Sequence, residues 1–193
     1  LLYIGNVNDV QISGEVEPTI SLTLSDWVDW QTNSGTANTC DLGTLSQTNI
    51  NTCSYKANIA TNATSGYTAS IEEDQPMTSG TDALTSASGT VTANSNTTEA
   101  YGVSTTQASQ TITQINDANT STTYTQDDCT ALTGQSSTNA NASGLSTSTQ
   151  SFASATGPTA SNVVSLCHAA TIAGTTPAGS YSHAVTITVI GNF

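Results

Sequence analysis

The chain has 193 residues, a sequence pI near 4.1 and a formal net charge of -13, with one basic residue, Lys56, beside 14 acidic ones. Nucleic-acid binding and attachment to an anionic membrane surface both need clustered Lys or Arg, so this composition excludes both. Only 8% of the residues are charged, against about 25% in an ordinary soluble domain. Uncharged hydroxyls and amides provide the polar surface instead, which suits an extracellular coat or fibre.

The length allows one sizeable core or two small ones. No run of about 18 apolar residues occurs, so we expect no insertion of the mature chain into a membrane. The chain begins at Leu1 without a basic-then-apolar signal. We therefore expect either a mature form that has lost its secretory signal or the ordered part of a longer chain.

Alternating apolar residues predict strands from the N-terminus onward. In residues 7–16, Val10, Ile12 and Val16 share one face, and after Pro18 a second alternating segment covers 20–25. The further predicted strands lie around 55–59, 66–72, 91, 101–103, 111–115, 163–172 and 181–190. Residues 116–160 hold little to bury, which predicts long loops and weak edge strands.

No segment shows an apolar stripe at helical spacing, and Thr and Val favour strands. The sequence therefore predicts an all-β, jelly-roll-like β-sandwich with an extended N-terminal strand. We expect residues 1–16 to form that strand and residues 17–193 to form the sandwich domain.

The chain contains four cysteines, an even number that predicts two disulfides in a secreted protein. We expect Cys40 to pair with Cys53 and Cys129 to pair with Cys167. The first bond closes a short loop, for which the chain-entropy model gives about 3 kcal/mol. A zinc site is the alternative, but no close C-x-x-C pair of ligands is present.

Candidate catalytic and metal-binding residues are few. His168 and His183 lie in strand-like segments and are expected to be packed strand residues; a Ser-His-Asp arrangement is the alternative, although no G-x-S-x-G motif occurs. The acidic runs 72–74 and 127–128 are expected in solvated turns, with calcium as the alternative ligand. We predict no enzymatic activity and no cofactor.

Two kinds of covalent modification remain open. Lys56 is expected to point away from the core, either as an ordinary surface lysine or as the partner of an isopeptide bond to Asn or Asp. Sequons of the N-x-S/T type begin at four asparagines, which are glycosylation candidates if the source has the machinery: Asn62, Asn96, Asn119 and Asn141.

The N-terminal segment carries the main functional hypothesis. Its apolar face consists of Val7, Val10, Ile12 and Val16. This strand either belongs to the chain's own sheet or completes the sheet of a neighbouring subunit, where main-chain hydrogen bonds give affinity and alternate side chains fill pockets. Repeated head-to-tail contact of the second kind produces an open filament.

Three segments resemble predicted secreted surface proteins of uncultivated prokaryotes: T-C-D-L-G-T-L-S at 39–46, N-T-C-S-Y-K-A-N-I-A-T-N-A-T-S-G-Y-T at 51–68, and T-T-P-A-G-S-Y-S-H-A-V-T-I-T-V-I-G-N-F at 175–193. More broadly, the chain resembles TasA-type fibre proteins and archaeal thread or bundling pilins. That resemblance implies jelly-roll subunits joined by an N-terminal donor strand, here residues 1–16. The cysteines depart from the pattern of many TasA-type proteins.

The sequence thus predicts a secreted, cell-surface structural protein: the subunit of an extracellular filament, pilus or fimbrium that polymerises with identical subunits by donor-strand complementation. The alternative is a monomeric or S-layer-associated adhesin or carbohydrate-binding module. That alternative needs an exposed aromatic platform, for which Trp27 and Trp30 are the candidates.

Overall fold

A computed structural model describes residues 11–26, 39–93, 99–114 and 139–193. These residues contain strands and no helix, which confirms the predicted all-β fold. The strands are β1 Ile20–Asp26, β2 Asn51–Thr61, β3 Tyr67–Glu73, β4 Thr78–Ser79, β5 Asp82–Ala83, β6 Ser88–Thr92, β7 Ala100–Thr105, β8 Asn139–Ser143, β9 Gln150–Ala155, β10 Thr159–Thr171 and β11 Val185–Gly191.

Two antiparallel sheets form the body of the protein. The larger has six strands in the order β1-β2-β10-β7-β8-β6, and the smaller has three in the order β11-β3-β9. The chain crosses between the sheets after β2, where Gly66 has a φ of +74° and an added Cβ would overlap the carbonyl of Ala155. The sheets share one core in a sandwich-like arrangement, while a jelly-roll connectivity stays a prediction.

The core lies between the two sheets. β2 follows its period of two over its C-terminal half, so Ala57 and Ile59 are fully buried while Asn58 is exposed. Tyr67 and Ile71 of β3 share one buried cluster with Phe152 of the neighbouring strand β9 and with Leu166 of β10 in the larger sheet, and all four side chains are fully buried. The smaller sheet is therefore fixed to the larger one by β3, its central strand.

Some predicted segments differ in the structure. Residues 11–19 form no strand within the described chain, and residues 111–114 make only a bridge at Gln114 rather than a strand. The prediction of weak edge strands in 116–160 was wrong for β8, which lies between β7 and β6. The alternating polar and small residues of β8 carried too little apolar signal to place it inside a sheet.

The two edges of the smaller sheet are covered differently. At the β9 edge, residues 106–114 run alongside, with Ile112 N donating to Ser151 O at 2.9 Å and the Ile112 side chain fully buried. Gln107 and Ser154 exchange two further hydrogen bonds there, at 2.6 and 3.0 Å. At the β11 edge, no described residue plays the equivalent part.

Candidate functional site

An open groove separates β1, the edge of the larger sheet, from β11, the edge of the smaller one. The two strands adjoin at one end, where Gly191 lies next to the Ile20 side chain. Beyond that point they leave a cavity of about 570 Å³. Its volume is that of a typical ligand-binding or peptide-binding cleft.

The walls of the groove come from the alternation of its edge strands. Leu22 and Leu24 of β1, and Val185 and Ile187 of β11, point into the groove and are only half-buried. Thr and Ser occupy the intervening positions on the solvent side, except for Ile190 near the end of β11, which is 60% exposed. Two rows of apolar side chains thus face each other across a gap that the described residues do not fill.

A chain of hydrogen-bonded rings forms the floor of the groove. Tyr55 Oη lies 3.1 Å from His168 Nε2, and His168 Nδ1 lies 2.6 Å from Tyr101 Oη. Tyr101 Oη also lies 2.9 Å from His183 Nε2, and His183 Nδ1 lies 3.1 Å from Glu73 Oε2. We call these five residues the ring relay.

The direction of the relay follows from its acidic end. His183 Nδ1 faces only acceptors, the Glu73 carboxylate and the Gln75 carbonyl at 3.3 Å, so this nitrogen carries a hydrogen. With neutral imidazoles, each group then donates toward Glu73: Tyr55 to His168, His168 to Tyr101, and Tyr101 to His183. Every polar atom of the rings has a partner, as a buried network requires.

Burial keeps the inner relay uncharged. Burial lowers the pKa of His168 to about 3, helped by the charge of His183, and raises the pKa of Tyr55 and Tyr101. Burial also raises the pKa of Glu73, although the attraction of His183 opposes that rise. At the other end of the relay, Glu73 and His183 form an ion pair when the imidazole is protonated.

The structure agrees with the sequence-based prediction for His168 and differs from it for the acidic run 72–74. His168 is a buried strand residue with both ring nitrogens satisfied, as expected, whereas His183 precedes β11 and lines the groove. The prediction of a solvated turn was wrong for Glu72 and Glu73, which lie in β3. No local sequence pattern reveals the relay, because its members are distant along the chain and are brought together by strand pairing in the larger sheet and by contact with the smaller one.

The N-terminal arm, residues 11–16, lies outside every strand of its own chain. Ile12 is 94% exposed and Val16 is 84% exposed, although both are large apolar residues. Val7 and Val10, the other members of the predicted apolar face, lie outside the described residues. The described part of the arm therefore presents apolar side chains to solvent.

The base of the arm is held firmly. Asn62 Oδ1 accepts a hydrogen bond from Thr19 N at 2.7 Å, and Asn62 Nδ2 donates to Glu17 O at 2.7 Å. Thr61 Oγ1 donates to Thr19 O at 2.9 Å. These bonds flank Pro18, which cannot donate through its own nitrogen, and they fix where the arm leaves the body.

Cys40 and Cys53 form the predicted disulfide, with their Cα atoms 5.4 Å apart. The bond ties the segment before β2 to β2 itself, and both cysteines line the groove. Cys167 is also disulfide-bonded, and Cys129 lies outside the described residues.

The other candidate residues have mixed locations. Lys56 lies in the middle of β2 between Ser25 and Ser165, on the face opposite Tyr55, as expected. Asn141 is half-buried in β8. The remaining candidates, which lie outside the described ranges, are Trp27, Trp30, Asn96, Asn119, Asp127 and Asp128.

The described ranges contain neither a candidate metal site nor a membrane-spanning helix. No group of three His, Cys, Asp or Glu side chains there is arranged to hold a metal ion. No helix long and apolar enough to cross a bilayer occurs among those residues either.

Comparison with known proteins finds no match to this chain among family models, curated proteins or solved structures.

Proposed function

We propose that this protein is the structural subunit of an extracellular filament, in which the N-terminal arm of one subunit fills the groove between β1 and β11 of the next. One observation carries the proposal: the chain has both halves of such a contact and leaves them apart. Ile12 and Val16 are exposed on a segment in no sheet, and the apolar walls of the groove are only half-buried.

The groove suits a strand as its occupant. β1 and β11 are both edge strands, so each has one row of main-chain donors and acceptors without a ladder partner among the described residues. An incoming extended segment would bond to such an edge while its alternate side chains enter the groove. The arm offers apolar residues at even positions, which matches this requirement.

A second copy is a better source of that strand than the same chain. Thr19 is fixed to Asn62 at the start of β1, and the described arm residues before it are all exposed. Because each subunit both donates an arm and accepts one, the contact repeats head to tail and yields an open filament. Kinship with TasA-type fibre proteins and archaeal thread or bundling pilins belongs to the same proposal.

Secretion and a cell-surface location are also part of the proposal. The Cys40–Cys53 disulfide supports an oxidising compartment. A surface of hydroxyls and amides, with a net charge of -13, would keep neighbouring filaments hydrated and apart. Of the sequon asparagines, Asn62 and Asn141 are half-buried and the other two lie outside the described residues, so glycans stay a prediction from the sequence.

Electron microscopy of the full chain in negative stain tests the proposal. We expect uniform fibres from the full chain and discrete particles from a variant that lacks residues 1–16. Ile12→Asp should also abolish fibres, because it puts a charge on the inserted face, whereas Gln11→Asp adds the same charge to the opposite face and should polymerise.

Discrete particles from the unaltered chain at every concentration would refute the filament. In that case glycan-array binding by the monomer would support the adhesin or carbohydrate-binding module instead. Fibres that persist without residues 1–16 would leave a polymer but refute the arm as its joint.

A further inference from the structure

Gly14 lies in the middle of the apolar row of the arm. Side chains alternate along an extended strand, so Ile12, Gly14 and Val16 share one face. Glycine is unfavourable inside a strand unless something approaches its backbone closely. A position without a side chain, between two large ones, is therefore a feature that needs a cause.

The subunit itself supplies no such cause. A Cβ added at Gly14 would meet no heavy atom within 4 Å, and the φ of Gly14 is not in the left-handed range. Gly102 shows the contrast, because an added Cβ there would lie 2.8 Å from Ala87 Cβ and 2.9 Å from Ala142 Cβ. The close approach that would explain Gly14 is absent from its own chain.

The groove contains a feature that would demand a glycine. The rings of Tyr101 and His183 pack edge to face on its floor, with centroids 4.7 Å apart. Their positions are fixed, because Tyr101 Oη is hydrogen-bonded to both His168 and His183. A strand that crosses this pair would bring any side chain directly above it against two fixed rings.

Apolar side chains line the groove around the ring pair. Leu22 and Ile187 lie toward the end where β1 adjoins β11, and Leu42 and Met77 are also part of the lining. An occupant whose side chains are large, then small, then large at every second residue would place the small one over the rings. Ile12, Gly14 and Val16 have this sequence of sizes.

We propose, resting on the filament function above, that Gly14 of each arm crosses the Tyr101–His183 pair of the next subunit, with Ile12 and Val16 against the apolar lining on either side. Gly14 thereby sets the register of the donated strand. A slip by one residue would turn the polar face of the arm into the groove. A slip by two would press Ile12 or Val16 against the rings.

Polymerisation of full-chain variants tests this assignment. Gly14→Val adds a branched side chain above the rings, and Ser13→Val adds the same side chain one residue earlier, on the opposite face. We expect Gly14→Val to slow fibre growth, followed by light scattering, by about tenfold or more. Gly14→Ala should slow it less, and Ser13→Val should leave it within about twofold of the unaltered chain.

A mixing experiment separates the arm from the groove. The Gly14→Val subunit keeps an intact groove, so it should still accept an unaltered arm and cap growing fibres when added to unaltered protein. Capping together with slow growth of the variant alone supports the assignment.

The outcomes distinguish the two proposals. If the unaltered chain forms no arm-dependent fibres, the filament function fails. If it does, and Gly14→Val grows as fast as Ser13→Val, the function stands and the role of Gly14 is refuted. Equal slowing by both variants would also refute it, because the face of the arm would then be wrong.

Discussion

The two edges of the three-stranded sheet show what this chain covers and what it leaves open. At the β9 edge, residues 106–114 close the gap between the sheets and bury Ile112 completely. At the β11 edge, Val185 and Ile187 remain half-buried beside a cavity of about 570 Å³. A segment of the chain itself thus covers the β9 edge. Among the described residues, no such segment covers the β11 edge.

The difference shows that this chain can cover a sheet edge with its own residues, so the open β11 edge is not a general consequence of the fold. Exposed edge strands invite pairing with other chains, and proteins usually block them. Here the open edge borders a groove with apolar side chains on both walls. The arm is the described segment whose exposed apolar side chains could fill that groove. Assembly would complete at the β11 edge what residues 106–114 complete at the β9 edge.

The largest expected effect is a loss of folding stability at low pH. It should come from the residues beneath the groove at the β11 edge and not from the β9 edge. Residues 106–114 and β9 contain no ionisable side chain, whereas the relay under the groove contains His168, whose pKa burial lowers to about 3. Between that value and the ordinary 6.5, only the unfolded chain binds the proton, so the stabilisation is complete above pH 6.5 and is lost as pH falls.

We therefore expect the unfolding free energy of the monomeric subunit to fall by about 2 kcal/mol at pH 5 and about 4 kcal/mol at pH 3 through His168. Glu73, whose raised pKa makes the folded state take up a proton, works in the opposite sense. Comparing the unaltered chain with His168→Gln cancels the contribution of Glu73. Equal pH slopes in urea unfolding of the two proteins would contradict the prediction.

The next effect compares one isoleucine from each edge. Ile112→Ala removes a fully buried side chain at the covered edge and should lower the unfolding free energy of the monomer by about 3 kcal/mol. Ile187→Ala, at the half-buried wall of the groove, should cost the monomer about half as much but weaken fibres strongly. Urea unfolding and fibre yield measure the two properties separately.

If Ile187→Ala cost the monomer as much as Ile112→Ala and left fibre yield unchanged, the two edges would be equivalent, and the comparison would fail.

The smallest effect concerns the base of the arm. Asn62→Ala removes the hydrogen bonds to Thr19 N and Glu17 O and should lower the unfolding free energy by about 1–2 kcal/mol. Fibre growth should slow more than this loss suggests, because the arm would leave the body in a less defined direction. Asn58→Ala, at an exposed position of β2, is the matched control and should affect growth little.

Much of the fold could be predicted from the sequence. The alternation of β1, β3 and β11 predicted these strands with small errors at their ends. The even number of cysteines, with the short spacing between Cys40 and Cys53, predicted the disulfide that the structure contains. The segment 111–115 was predicted as a strand because Ile112 alternates with threonines. In the structure, Ile112 is buried because its segment lies along the edge strand β9. This contact joins residues that are distant along the chain, so local alternation does not reveal it.

The candidate site was predictable in one half only. The apolar face of the arm follows from the alternation of side chains at every second residue, which is visible within a short stretch of sequence. The groove and the ring relay do not, because Tyr55, Tyr101 and His168 come from three different strands and His183 from the segment before a fourth.

The sequence by itself determined an all-β protein with a hydrated, acidic surface, since composition and alternation act locally along the chain. Only the tertiary structure decided which sheet edge is covered, which stays open and which rings lie beneath the gap. Those properties depend on how distant strands pair, and strand pairing is a competition among long-range contacts that is settled when the whole chain folds.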